Sequence, residues 1–105
     1  MKKIPHGYHR LRWDDLEDWF EDAIIDRGHK YQMKGRVSDL SLTDNGDLIA
    51  WVSGTKRYAT TIEMTDGEYL DSYCTCPYAI NCKHGVAVVL EYLECLKKNQ
   101  AVPVW

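Results

Sequence analysis

Cys74-Thr-Cys76-Pro-Tyr-Ala-Ile-Asn-Cys82-Lys-His84 is the stretch on which the reading of this chain turns. Three thiols and one imidazole stand there as two close pairs, Cys-x-Cys and Cys-x-His. Zinc takes tetrahedral sulfur and nitrogen donors, at about 2.3 Å for thiolate and about 2.0–2.1 Å for imidazole. Two short pairs separated by a small loop can set four such donors around one ion. Pro77 ends any strand that bears the first pair. Beyond the second pair, Gly85-Val-Ala-Val-Val-Leu90 opens an apolar helix beginning near Gly85 or Val86. An ion held by Cys74, Cys76, Cys82 and His84 would tie a strand end to a helix start. Four protein ligands leave no position for water, so such a site is structural and not catalytic.

Three other readings of these residues stand beside zinc. A disulfide is one, although Cys-x-Cys closes a strained small ring and a cytoplasmic chain disfavours it. A nucleophilic thiol paired with His84 is another, but it leaves two further sulfurs crowding the same nucleophile without purpose. The third treats the cysteines as small buried residues. Zinc is the reading that uses all four side chains. Cys95, further along the helix, is expected as a buried or half-buried residue and not as a fifth ligand.

Upstream, Asp14 with Glu17 three positions on forms a capping-box pattern. Leu16, Trp19 or Phe20, Ala23, Ile24 and Arg27 follow a helical period. A helix is therefore expected over 14–28, ended by Gly28 in the left-handed position. Between 36 and 73, turn residues divide short apolar runs. Asn45-Gly46 suits a tight hairpin after Val37–Leu42, and Leu48–Val52 is apolar on both faces. Tyr58, Thr60, Ile62 and Met64 alternate with Ala59, Thr61 and Glu63, the two-residue period of a half-buried strand. Asp66-Gly67 turns the chain into Tyr69–Cys74. Val86, Val89, Leu90, Leu93 and Leu96 or Lys97 then trace the buried stripe of the last helix.

The expected fold is α+β: an N-terminal helix, an antiparallel meander of three or four strands, and a C-terminal helix joined to the sheet by the strand-to-helix zinc site. At 105 residues this is a single domain. Its parts are an arm over 1–13, the helix 14–28, the sheet 36–73, the zinc module with its helix over 58–98, and an apolar tail, 100–105. That tail either docks back on the sheet or leads into something longer. The four tryptophans are expected to pack. Hydrophobic residues make up 45% of the chain, too many for disorder. The longest apolar run falls far short of the roughly 20 residues a membrane span needs, and Ile4-Pro5-His6-Gly7 is no signal-peptide core. A cytoplasmic protein is expected.

These residues resemble the SWIM-type zinc finger. Cys-x-Cys, a short spacer and Cys-x-His lead into an apolar helix, and Cys74-Thr-Cys-Pro-Tyr78 is similar to the family's Cys-Ser-Cys-Pro-Tyr-like opening. Cys82-Lys-His-Gly-Val-Ala-Val-Val-Leu90 is similar to its close, with Tyr58-x-x-x-Ile62 on an upstream strand. Arg27-Gly-His-Lys-Tyr31 through Gly35-Arg-Val37 resembles the region before the finger in bacterial and archaeal members. The spacer Pro77–Asn81 is slightly shorter than is usual there. The resemblance covers most of residues 27–93 and implies a strand–strand–helix zinc module without catalytic residues. Such modules occur in Swi/Snf-type helicases, Mutator-type transposases, a MAP kinase kinase kinase and many bacterial proteins, and are thought to bind DNA or protein partners.

Charge bears on the partner. The net value of −3 is not the broad positive excess of a dedicated nucleic-acid binder. Within the first third, however, the signs separate. Lys2, Lys3, Arg10 and Arg12 precede the acidic helix, and Arg27, Lys30, Lys34 and Arg36 follow it with no acid between them. Lys83, flanked by two ligands, is expected to point outward. These groups, with an exposed ring among Tyr31, Tyr58 and Tyr78 for stacking, make DNA or another nucleic acid one expected partner. The acidic strands and the apolar tail suit a protein partner instead. His6, His9 and His29 have no neighbouring cysteine and are not expected to hold metal. The carboxylates of Asp14–Asp26 fit a solvated helix face, with no acid–base pair or phosphate-cradling glycine motif, so neither an enzyme nor a small-molecule substrate is expected.

Overall fold

A computed structural model describes residues 13–65, 69–78 and 81–104. The expected arm, with His6, His9 and its four basic residues, lies almost wholly outside the described residues, as does Trp105. Four strands, β1 (Val37–Leu42), β2 (Leu48–Ser53), β3 (Arg57–Thr65) and β4 (Tyr69–Cys74), form one antiparallel sheet in chain order. A short 3-10 helix, Trp13–Asp18, precedes helix α1 (Asp22–Met33), and helix α2 (Lys83–Lys97) follows the sheet. The expected α+β meander is what the chain forms.

The strand alternation sets one buried face. Leu48, Ala50 and Val52 of β2 lie beside Thr60 and Ile62 of β3 and Leu70 and Ser72 of β4, all buried. Ile49 and Trp51 turn to the other face, and Trp51 is exposed beneath the Arg57 guanidinium. β2 is thus interior by its position between two strands, while its second face stays open. α2 packs on all four strands and also on α1. That double cover buries Val86, Ala87, Val88, Val89 and Leu90 in succession, a broader band than the single stripe the period suggests.

Two expected boundaries are corrected. The N-terminal helix does not run over 14–28: Glu21 is the N-cap of α1, and the helix continues through Gly28 to Met33. Gly28 is a buried packing position and not a terminator. A Cβ placed there would lie 2.5 Å from Val86 Cγ1 and 2.7 Å from the Lys83 carbonyl oxygen. The left-handed residue that follows the helix is Gly35 (φ 69°). Ala23 and Arg27, expected on the apolar stripe, are exposed, and Ile24, Ile25 and Gly28 are the buried positions of α1. The β1–β2 connection is also not a two-residue turn with both residues left-handed. Gly46 has positive φ (85°), Asn45 does not, and Gly46 N–H donates to the Thr43 carbonyl (3.0 Å). This is a three-residue loop with glycine at the left-handed place.

Both margins of the sheet are occupied. At β1, Leu42 N–H donates to the Pro103 carbonyl (2.9 Å), and Leu42 bridges Val104, so the tail docks back. At β4, Ser72 N–H donates to Asn81 Oδ1 (3.2 Å), and Asn81 N–H donates to the Ser72 carbonyl (3.0 Å). Asn81 holds a left-handed backbone (φ 50°), which asparagine tolerates better than most residues.

Candidate metal centre

Register explains how the first cysteine reaches the site. Cys74 pairs with Thr60, whose side chain is buried, so it closes the core face of β4. Cys76 lies two residues on, in the turn that Pro77 continues. Cys82 is the N-cap of α2, and His84 stands in its first turn. The helix begins at Lys83, two or three residues earlier than its apolar pattern indicates, because the ligand pair is part of its start.

The four donor atoms of Cys74, Cys76, Cys82 and His84 lie within 4.8 Å of one another. His84 Nδ1 is 3.5 Å from Cys74 Sγ and 3.6 Å from Cys82 Sγ. Sulfur and nitrogen at zinc-bonding lengths and a tetrahedral angle are about 3.5 Å apart. The two sulfur–nitrogen spacings are therefore those of a zinc tetrahedron, and the soft donor set suits that ion. None of the four cysteines is bridged, and Cys95 stands apart, half-buried on α2. These residues would hold the ion, which supplies a structural crosslink when bound.

The electrostatics show what a cation must displace. Cys74 is lowered to about 3, first by the hydrogen bond from Cys82 and then, against burial, by those involving His84, Thr60 and the Cys76 backbone. Cys82 is pushed up because it gives its proton to Cys74 and because it is desolvated, with the Gly85 amide pulling the other way. Cys82 thus keeps its proton until metal expels it. Zinc affinity should weaken as pH falls, by about tenfold per pH unit for each proton displaced. A chelator competition run at several pH values measures this slope. A pH-independent dissociation constant would contradict the thiolate site.

A metal-bound histidine ordinarily donates its other ring N–H to a carboxylate or carbonyl. Here Nε2 of His84 is buried without a partner. Rings hold the imidazole instead. Tyr58 stacks on it at 4.7 Å between centroids, and Tyr31 meets it edge-on at 5.3 Å.

Residues 62–93 match the family model of the SWIM zinc finger. The chain carries a SWIM zinc finger. All four donors fall inside the match. No curated protein and no solved structure matches the chain.

Around the finger, the expected basic residues divide. Arg27 and Lys30 are exposed on α1 and Lys34 is exposed at its C-cap, at spacings that put them on one side of the helix. Arg36 and Lys83 come from different segments but meet at Tyr31. The Arg36 guanidinium lies 5.4 Å and Lys83 Nζ 5.0 Å from the centre of its ring. Lys83 is half-buried against that ring and so is not simply turned out to solvent. Arg57–Asp39 and Lys98–Glu94, the ion pairs among the described residues, involve none of the five. Tyr31 as their meeting point was not expected from sequence; its place four residues after Arg27 was the available signal. Also among the described residues, no helix is long and apolar enough to cross a membrane.

Proposed function

We propose that this chain is a non-catalytic zinc module that binds nucleic acid, DNA in the first instance, through α1 and the start of α2. The observation that carries this reading is the meeting of Arg36 and of Lys83, from the finger itself, at Tyr31, with Arg27, Lys30 and Lys34 exposed on neighbouring positions of the same segment. Five cations free of carboxylate partners among the described residues are poor for stability and suited to phosphates. The zinc ion's part is to hold Lys83 where the other segment can meet it.

Direct phosphate contact predicts an affinity that falls steeply with salt, with a slope near one per contact. Replacing Lys30, Lys34 and Lys83 together by Glu is expected to abolish measurable DNA binding while zinc content and thermal midpoint are kept. Binding unaltered by that triple charge reversal would overturn the assignment. A protein partner is the second reading, favoured by the open face of the sheet. Trp51 and Tyr73 are exposed there, and a shallow hollow of about 530 Å³ runs past Trp51, Ala59 and Pro103. Complex formation that survives high salt and is lost in Trp51→Ala would select it.

A further inference from the structure

Beside the metal centre lies a hollow of about 300 Å³ walled by Tyr31, Tyr58 and Tyr78, with Lys83 at its side and the His84 ring in its lining. Its chemistry is one-sided, with three tyrosine rings, a cation and no carboxylate. Tyr78 is 66% exposed, although its loop is anchored by ligands at both ends. It is a large flat ring, open to solvent. The same residue walls a neighbouring hollow of about 280 Å³ with Trp19, Phe20 and Glu21. The Glu21 carboxylate repels phosphate there, so a strand passing Tyr78 keeps its phosphates on the Lys83 side.

Resting on the nucleic-acid reading above, we propose that this hollow takes one unstacked base of a single-stranded nucleic acid, with Tyr78 as its stacking surface and Lys83 beside the adjoining phosphate. In a duplex both faces of each base are covered by neighbours. A concave aromatic slot admits only a base that has left the stack. Charge points the same way. The chain is net −3, and residues 36–73 hold seven acidic residues against three basic ones. The positive track is therefore narrow, suited to one backbone and not to the broad phosphate surface of two. Stacking on tyrosine accepts any base, so little sequence preference is expected. The Nε2 of His84, buried on the side away from the sulfurs, is a polar group at this end of the fold without a partner among the described residues.

The test titrates the zinc-loaded full chain against three labelled probes: oligothymidylate, an abasic strand of the same length, and a duplex. The oligothymidylate should bind about tenfold more tightly than the abasic strand, in keeping with the usual worth of one base stacked on an aromatic ring. Tyr78→Ala should erase that difference and leave abasic binding and the thermal midpoint unchanged, whereas Tyr78→Phe should preserve it. Equal affinity for the thymidylate and abasic strands, tighter binding of the duplex, or a silent Tyr78→Ala overturns the pocket while the phosphate-binding reading stands. Failure of all three probes to bind at low salt ends both.

Discussion

Removing zinc with a chelator is expected to collapse the C-terminal half of the fold, with loss of far-UV ellipticity and of cooperative melting. Binding of a structural zinc in comparable small sites is worth about 10–16 kcal/mol apparent at neutral pH. A whole domain is typically stable by only about 5–15 kcal/mol. Even a loss of about 5 kcal/mol moves the midpoint of a domain this size by roughly 20 °C or more. The location of the ion makes the loss a global one. Cys74 ends β4, while Cys82 and His84 begin α2, the helix that covers all four strands and also α1. Without the ion, Val86, Val88, Val89 and Leu90 sit on a helix whose start is tied down only by the Asn81–Ser72 hydrogen bonds and by packing. Cys82→Ala should reproduce the chelated state even with zinc present, since Cys82 is fully buried and the cluster has no further donor among the described residues. Cys95→Ala should not. A metal-free protein that keeps its ellipticity and its midpoint would refute this account.

Gly28→Ala should destabilise the fold although alanine is the better helix former. Two effects oppose each other. Alanine in a helix interior is favoured over glycine by about 1 kcal/mol. Against that, the new Cβ would enter space already held by Val86 and by the Lys83 carbonyl, 2.7 Å away. A backbone oxygen in the first turn of α2 cannot swing aside, so α1 and α2 must separate. Overpacking of this kind costs about 1–3 kcal/mol, occasionally more. The clash wins, and we expect a net loss of about 1 kcal/mol, the overpacking cost less the helix gain, in denaturant unfolding. Because the displaced turn holds His84, zinc affinity should fall in the same variant. Gly35→Ala, where φ is 69° but space is open, should cost stability and leave zinc affinity untouched. A Gly28→Ala protein as stable as the parent would show that the helices do not meet at this contact.

Much of the metal centre was legible because its chemistry is local. Four donors close together in sequence need no knowledge of the sheet, and the structure brings all four together. Strand order was legible for a similar reason, since short turns between Leu42 and Leu48, Ser53 and Arg57, and Thr65 and Tyr69 leave a meander as the simple path. Besides the local details of one hairpin and two helix starts, what failed depended on a partner far away in the chain. Gly28 looks like a helix stop from its neighbours alone; only Val86, distant in sequence, shows why a residue without a side chain stands there. Trp51 looks like core from its neighbours, yet the pleat turns it to the face that no helix covers. The meeting of Arg36 and Lys83 at Tyr31 is a tertiary event of the same kind.

The hydrogen bonds that close the outer margin of β4 come from Asn81, inside the loop whose two ends carry zinc ligands. The ion thus governs colloidal behaviour as well as folding. Once it leaves, the loop is released, and the Ser72 amide and carbonyl that Asn81 covers open to strand addition from another molecule. Demetallated protein should therefore clump on standing and take up amyloid-binding dye, whereas at the far margin the cover of Leu42 by Pro103 and Val104 involves no metal ligand.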